Sequence, residues 1–405
     1  MGRIFRSRPV VTAETHRTTL FEIFFDLVFV FGFIRVTEFM SARPAPVTLV
    51  QGFLVLLLLW NSWLVYSWLG NQARIDVGLI RAGVTVGMAA VFLAALVIPD
   101  VWESGPSALG PRLILVLAYI VVRVIHLVLY HWAAVGSPRL LRTIRVYALT
   151  TPLSWVPLVV GAVFGGTAQI LLWTAALVID MGGGVVASVL SGWPVRSPGH
   201  FTERHSLVVI IALGESLISV GAGVGAEMIR GPVLVAALLT LAATVCLYWL
   251  YSHSAAAARQ ALTMNFGLRR DQVAANAYTL AHFPLIAGTI YLALGVEQVL
   301  AGLAHDESHR TDAVNWIPAV ALFGGTALYL AGRATFLSFS VRSVRPGQFL
   351  APGVALLLLP AGRYLPGLTG LGLLTAFLVV LVSYEAAAGR GRGPGARSDP
   401  ELTAR

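Results

Sequence analysis

The residues of this chain that could carry chemistry are ionisable side chains inside long apolar runs. Glu22 and Asp26 lie four positions apart in the first run, so they share one face if that run is a helix. Glu215 lies near the middle of a later run, beside Gly214. A carboxylic acid in an apolar environment can bind a cation, exchange a proton or act as a general acid. These residues therefore indicate either proton-coupled binding or acid catalysis.

Other apolar runs hold a positive charge and hydrogen-bonding groups. One helix face carries four such residues at spacings of four, three and four: Tyr119, Arg123, His126 and Tyr130. Asp180 lies near the middle of another run, and His282 lies in a later one. Charged groups within a membrane usually face the interior of the helix bundle or a water-filled cavity, because exposure to lipid is costly.

Together these residues predict one central polar site, in which Arg123 is the counter-charge to acids on two related helices. The predicted binding residues are Glu22, Asp26, Arg123, His126, Asp180, Glu215 and His282. Simpler roles stay open: Arg123 pairing with an acid only to hold helices together, Glu22 reaching the membrane surface, and single histidines with purely structural hydrogen bonds. No metal site, no cofactor and no catalytic residue is predicted.

The composition requires lipid around most of these residues. Of 405 residues, 57% are hydrophobic and 12% are charged, whereas soluble domains carry roughly 25% charged residues. The net charge of +9 does not indicate nucleic-acid binding, because the arginines lie in short segments between apolar runs. The lone Cys246 excludes an internal disulfide and a cysteine-based zinc site.

Runs of about twenty apolar residues predict an all-α bundle of about twelve transmembrane helices. The predicted spans are 19–39, 47–69, 78–98, 112–131, 146–164, 168–190, 205–224, 232–251, 278–300, 315–338, 348–361 and 366–384. If the N-terminus is cytoplasmic, the inner segments hold 21 arginines and the outer segments hold five. This asymmetry predicts a multi-pass protein of the bacterial cytoplasmic membrane with both termini inside.

Similar spacings in the two halves predict an internal repeat of six helices. His16 precedes Asp26 by ten residues, as His205 precedes Glu215. Arg142-Thr-Ile-Arg145 also matches Arg342-Ser-Val-Arg345. Because six is even, both copies would have the same orientation in the membrane. The predicted organisation is a cytoplasmic segment 1–18, repeats at 19–195 and 196–388, and a disordered tail at 389–405.

Two longer motifs resemble those of a known family. They are FEIFFDLVFVF at residues 21–31 and ERHSLVVIIALGES at residues 203–216. The runs LAHFPL around His282 and YIVVRVIH at residues 119–126 are similar to the same family, the bacterial low temperature requirement protein A family. The resemblance covers roughly residues 15–385. It implies a multi-pass membrane protein of about this size, and it implies no particular reaction or catalytic residue.

Three functions fit these observations. The first is a secondary transporter of a small solute, coupled to protons through the buried acids. The second is an intramembrane enzyme in which such an acid is the general acid for a lipid or isoprenoid substrate. The third is an ion or proton channel. The expected partners are membrane lipid, a small solute and protons, whereas nucleic acid is not expected and the oligomeric state is open.

Overall fold

Helices account for the regular structure, as expected for backbone that must satisfy its own hydrogen bonds in lipid. A computed structural model describes residues 9–105, 107, 109–224, 231–305, 316–341 and 346–390. The predicted segments 1–18 and 389–405 are thus described only in part, and Arg342 and Arg345 of the predicted repeat lie outside the described residues. Within these ranges there is one isolated β-bridge, between Val11 and Ala73, and no β-strand.

Twelve helices follow one another within the described residues. Eight come first as single segments: α1 Leu20–Ala42, α2 Pro46–Gln72, α3 Gly78–Val97, α4 Leu109–Ala133, α5 Pro138–Phe164, α6 Gly166–Ser191, α7 Pro198–Val224 and α8 Gly231–Met264. Two are interrupted by π-helical turns: α9 has the parts Gly267–Val273, Ala274–Leu280 (π) and His282–His305, and α10 has the parts Trp316–Ala319, Val320–Gly324 (π) and Gly325–Val341. The last two are α11 Pro346–Tyr364 and α12 Gly367–Arg390.

This architecture confirms the predicted all-α bundle of about twelve spans. Ten of the helices are long and apolar enough to cross a membrane. The other two are α1, which has 23 residues, and α11, which has 19 residues with Pro352 and Pro360 inside it. At 1.5 Å per residue even α11 extends about 28 Å, close to the thickness of a bilayer core.

Several predicted spans start later than the corresponding helices, and the difference at the seventh span affects the residues described below. The seventh was expected from residue 205, but α7 begins at Pro198. Proline suits the first turn of a helix because the missing N–H has no intrahelical partner there. The hydroxyl of Ser197 accepts a hydrogen bond from the backbone N–H of His200 at 3.3 Å, which caps the helix. His200 and Arg204 therefore lie on α7 and not in a loop.

The bundle has two groups of helices that meet along a central interface. Helices α1–α6 pack mainly against one another, and so do α7–α12. The groups meet where α1 and α2 contact α7 and α9. The most enclosed helices are α2, α9 and α10. The internal repeat and the division at residue 195 stay predictions.

The N-terminal segment ties the two groups together at one end of the bundle, which we call the N-terminal side. Backbone hydrogen bonds join residues 10 and 12 to residues 72–74 after α2. The hydroxyl of Ser197, just before α7, donates a hydrogen bond to the backbone oxygen of Glu14 at 2.8 Å. The segment therefore crosses from the end of α2 to the start of α7.

Helices α9 and α10 pack with their backbones in contact. A Cβ atom added at Gly288 would lie 2.5 Å from the backbone nitrogen of Tyr329, and one at Gly325 would lie 2.8 Å from the backbone nitrogen of Leu292. Only glycine permits such an approach. Small residues at these positions are typical of helix pairs in membranes, where close packing replaces the hydrophobic effect as a source of stability.

We predict that Gly288→Ala destabilises the protein, because its methyl group would push α10 away from α9. The expected loss is about 1–3 kcal/mol, as for other overpacked sites. Gly302→Ala is the matched control: it lies on the same helix, and a Cβ there meets nothing within 4 Å. Thermal unfolding of both variants in detergent checks the prediction, and equal stability of the two would contradict it.

Candidate functional site

The carboxylate of Glu22 is buried at the start of α1, with 2% of the residue exposed. One of its oxygens accepts a hydrogen bond from the backbone N–H of Thr19 at 2.8 Å, which completes a capping box. The other oxygen is 2.7 Å from Nε2 of His200 on α7. The Glu22 carboxylate is therefore enclosed by protein at the start of α1. It binds the other group of helices.

His16 lies next to this pair, in the segment before α1. Its ring centroid is 5.3 Å from that of His200. Partial burial and the neighbouring His200 lower the pKa of His16 below the ordinary value. The imidazole of His16 is therefore neutral at neutral pH.

Asp26, one helical turn beyond Glu22, pairs with Arg204. Nη2 of Arg204 is 2.9 Å from Oδ1 of Asp26, and both side chains are fully buried. The indole N–H of Trp63 on α2 donates a hydrogen bond to the same oxygen at 2.7 Å. Oδ2 of Asp26 has no hydrogen-bond partner among the described residues. Oδ2 is therefore the oxygen of Asp26 that is available to a proton or a ligand.

Helices α1 and α7 lie side by side and run in the same direction. Three contacts join residues that are each 178 positions apart: Glu22 with His200, Asp26 with Arg204, and Thr37 with Glu215. Because Thr37 is eleven residues after Asp26, Glu215 lies about 16 Å farther along the pair of helices. The structure therefore does not bring Asp26 and Glu215 together, contrary to the expectation of one site.

Glu215 forms a separate acidic group toward the far side of the bundle. It is 2% exposed, and the carboxyls of Glu38 and Glu297 are close enough to influence it electrostatically. One of its carboxyl oxygens has no hydrogen-bond partner in the described part of the chain.

Arg123 was expected beside the acids of α1 and α7, but its partner is Asp180 on α6. Nη2 of Arg123 is 2.6 Å from Oδ1 of Asp180, and 0% and 1% of the two side chains are exposed. Two further donors reach the other carboxylate oxygen: the hydroxyl of Tyr119 at 2.5 Å and the amide of Asn61 at 2.8 Å. The spacing of polar residues within α4 predicted a buried arginine. It could not identify the partner, because Asp180 lies on another helix, α6.

The hydroxyl of Tyr147 on α5 also contacts Nη2 of Arg123. Nε and Nη1 of Arg123, by contrast, have no hydrogen-bond partner within the described ranges. Buried guanidinium donors without partners are costly, so these two are available to a ligand or to water.

His126 lies one helical turn from Arg123 and is 1% exposed. Neither ring nitrogen has a hydrogen-bond partner in the part of the chain that is described. The ring packs among tyrosines, with centroid distances of 5.3 Å to Tyr130 and 5.9 Å to Tyr66. A structural histidine normally has its nitrogens satisfied, so His126 is better suited to binding a ligand.

His126 is one of the residues that line a cavity of about 600 Å³. Its walls come from α2, α4, α5 and α6 of the first group and from α9 of the second. Its polar lining residues include Asn61, Tyr147 and Asn276. Ligand sites of proteins have volumes of 300–1,000 Å³ with a few polar groups among apolar ones. The cavity is therefore large enough for a small organic molecule.

His282 belongs to a different environment. Its Nδ1 is 3.0 Å from the backbone oxygen of Ala277, and its Nε2 is 3.1 Å from the hydroxyl of Tyr251. Ala277 lies in the π-helical turn of α9, where the regular backbone bonding pattern is shifted. Both nitrogens of His282 are thus occupied, and a structural role accounts for the residue.

Helix α2 connects the two charged clusters. Trp63 donates to Asp26, and Asn61, two residues earlier, donates to Asp180. The predicted residues therefore form a Glu22–Asp26 group and an Arg123–His126–Asp180 group on opposite sides of α2, with Glu215 and His282 apart from both.

Sequence patterns missed the basic partners of the α1 acids, His200 and Arg204. Both lie just before the predicted start of the seventh span, where they resembled loop residues. Ser197-Pro198 is the signal that would have found them, because serine followed by proline is typical of a helix start. If α7 begins at Pro198, His200 and Arg204 are four positions apart on the helix and share one buried face.

Comparisons with known proteins agree with the motifs. A sequence model of the family described as "Bacterial low temperature requirement A protein (LtrA)" matches residues 17–383. An uncharacterized protein of Rhizobium meliloti (strain 1021) is 25% identical over 322 residues, which cover 77% of this chain and 75% of that protein. No solved structure matches this chain.

We predict that Asp180→Asn destabilises the protein by about 3–5 kcal/mol, because it leaves the Arg123 charge buried without a counter-ion. The double variant Arg123→Gln/Asp180→Asn should recover part of that loss, since it removes both charges. Thermal unfolding in detergent measures the difference. A double variant less stable than Asp180→Asn would contradict this account of the pair.

The matched control is Glu385→Gln, which breaks the pair between Arg333 on α10 and Glu385 on α12. Nη1 and Nη2 of Arg333 donate hydrogen bonds to the two carboxylate oxygens of Glu385 at 2.7 and 2.6 Å, and 14% of the Glu385 side chain is exposed. Arg333 also keeps hydrogen bonds to the backbone oxygen of Leu250 and the hydroxyl of Ser254, both at 2.8 Å, so the loss of stability should be smaller than for Asp180→Asn.

Proposed function

Because this chain belongs to the bacterial low temperature requirement A family and is an integral membrane protein, we propose that it is a secondary transporter of a small solute. The observation that carries the proposal is the cavity of about 600 Å³ that residues of both groups of helices line, His126 among them. A transporter needs a site of this kind, lined by both halves and able to face either side of the membrane as the halves move.

His126 and Tyr147 are the proposed solute-binding groups. Both line the cavity, and the imidazole of His126 has no protein partner among the described residues. The Arg123–Asp180 pair lies directly behind them, with Tyr147 in contact with Arg123. A solute with hydrogen-bonding groups would satisfy the unpaired donors of this cluster.

Asp26 is the proposed proton-binding residue. Its negative charge holds Arg204 of the second group at 2.9 Å, next to the interface where α1 meets α7. Protonation would remove that attraction and weaken one connection between the halves. Proton binding and relative movement of the two groups would thus be coupled through a single ion pair.

We further propose that both termini are cytoplasmic and that the protein lies in the cytoplasmic membrane, as the arginine distribution indicates. The cavity is lined by Ser191, Gly192 and Leu268, which lie at the ends of α6 and α9 on the N-terminal side. With this orientation the cavity would be reached from the cytoplasmic half of the protein.

A second candidate is an intramembrane enzyme for a lipid-like substrate. It is favoured by exposed apolar side chains of α6 and α9 among the residues that line the cavity: Val185, Val189, Leu268 and Leu280. Such a rim would admit an acyl or isoprenoid chain from the bilayer. In this case the unpartnered oxygen of Asp26 or the His126 imidazole would supply the acid group.

We predict that proteoliposomes with the full-length protein accumulate at least one compound from a defined mixture of sugars, amino acids, organic acids and nucleosides when a pH gradient is imposed. Asp26→Asn and His126→Ala should lower that accumulation about tenfold or more, equivalent to at least about 1.4 kcal/mol. Mass spectrometry of the vesicle contents is the measurement.

His253→Ala is the control, since His253 is exposed on α8 and its Nδ1 lies 2.6 Å from the backbone oxygen of Trp249 on the same helix. Accumulation no higher than in protein-free vesicles, or equal accumulation by all variants, would count against transport. A new lipid product from a bacterial lipid extract, lost in Asp26→Asn, would establish the enzymatic alternative.

The orientation can be tested with single cysteines in a Cys246→Ala background, because Cys246 is the one native thiol. Thr15→Cys lies exposed on the N-terminal side, and Ser104→Cys lies exposed between α3 and α4. In intact cells a membrane-impermeant maleimide should label Ser104→Cys and not Thr15→Cys. The opposite pattern would place the N-terminus outside.

A further inference from the structure

Three possible metal ligands converge on the N-terminal side, outside the cavity. His16 comes from the segment before α1, Glu22 from the first turn of α1 and His200 from the first turn of α7. One potential ligand atom from each lies within 4.8 Å of those of the other two. Glu22 and His200 are buried, whereas His16 is half-buried and leaves a route from the surface.

Two imidazoles and one carboxylate are a ligand set that suits zinc and similar transition metals. Zinc sites with three protein ligands commonly use this set and keep a fourth position open for water. Imidazole also disfavours magnesium and calcium, which prefer oxygen ligands. The chemistry of the donors therefore selects a transition metal of the zinc type.

The charges around the cluster favour a cation. Each neighbouring arginine already has an acidic partner: Arg17 with Glu203, Arg74 with Asp76, and Arg204 with Asp26. The Arg74 guanidinium also holds the pKa of Asp76 below its usual range, so that pair remains charged near neutral pH. The Glu22 carboxylate forms no ion pair with an arginine in the described chain, and its hydrogen-bond partners are Thr19 and the imidazole of His200. The guanidinium of Arg204 donates to the backbone oxygen of Glu22 and is close enough to influence the carboxylate electrostatically.

Small changes would convert this cluster into a metal site. Ligand atoms around tetrahedral zinc lie roughly 3.3 Å apart, whereas Nε2 of His200 and the Glu22 oxygen are 2.7 Å apart. Nδ1 of His200 has no hydrogen-bond partner in the described chain. It can hold the ring proton once Nε2 binds the metal, so ligation requires the other tautomer of His200 and small shifts of the three side chains.

We propose that His16, Glu22 and His200 bind one zinc-type divalent transition metal ion, which joins the N-terminal segment and the first turns of α1 and α7. The proposal departs from the sequence-based expectation of no metal site. Glu22 and His200 are 178 residues apart, so spacing along the chain cannot reveal them as a ligand set. It does not depend on transport, because the cavity is lined by other residues.

The experiment uses the full-length protein in detergent, purified with an affinity tag that contains no histidine. After treatment with EDTA and removal of the chelator, the protein is dialysed against zinc chloride, and bound metal is measured by mass spectrometry. We expect about one zinc ion per chain, retained in the presence of excess magnesium. Cobalt in place of zinc should give the visible absorption of a tetrahedral nitrogen–oxygen site.

Two variants test the assignment of ligands. His16→Ala changes a half-buried side chain outside the helices, so the protein should fold, and it should lose about tenfold or more in zinc affinity. Glu22→Gln should lose a similar amount. His131→Ala and His253→Ala remove exposed histidines on α4 and α8 and should bind zinc as the unaltered protein does.

Zinc should also raise the melting temperature of the unaltered protein and of both controls, but not that of His16→Ala. The proposal is overturned if the unaltered protein binds no zinc, or if His16→Ala and Glu22→Gln bind it as tightly as the controls do. Transport by a protein that binds no zinc would leave the proposed function standing, so the two proposals fail separately.

Discussion

Every charge inside the bundle needs an opposite charge or a set of hydrogen bonds, since lipid can supply neither. Helix α2 is the element that does most to meet this requirement. Every residue of this helix from Leu58 to Gln72 is buried, and within two residues it presents Asn61 to Asp180 and Trp63 to Asp26. Two ion pairs on different helices are thereby held in one polar layer, and α2 contributes no charge of its own to either.

The layer also determines how the two groups of helices meet. Within the first group, Arg123 pairs with Asp180, and within the second, Arg333 on α10 pairs with Glu385 on α12. Between the groups, two buried pairs join α1 to α7, Glu22 with His200 and Asp26 with Arg204, and a third pair joins Arg139 on α5 to Asp271 on α9. The pairs inside each group hold its helices in place, whereas the pairs between groups are the ones that a relative movement must break. The glycine contacts between α9 and α10 add a rigid element to the second group.

The sequence was sufficient for the number of spans and for five buried charges, Glu22, Asp26, Arg123, Asp180 and Glu215, because both follow from local hydropathy. It was not sufficient to identify which residue each buried charge pairs with. Arg123 was matched with the wrong acids, because periodicity describes one helix at a time and Asp180 lies on another. Arg204 was counted as a loop residue, because the start of α7 was judged from hydropathy alone. The cavity at His126 is a property of packing and has no sequence signal. His126 and His282 were indistinguishable in sequence, and only their surroundings separate a free imidazole from a bonded one.

The contact between Glu22 and His200 has a consequence for how the chain is made. The ribosome completes α1 well before α7, and 178 residues separate the two partners. At 5–20 residues per second this interval lasts roughly 10–35 s. During that time Glu22 and Asp26 have neither His200 nor Arg204 to offset their charge. Until the second half of the chain arrives, α1 cannot have the surroundings that it has in the folded protein. The helix that is made first is therefore among the last to reach its final surroundings.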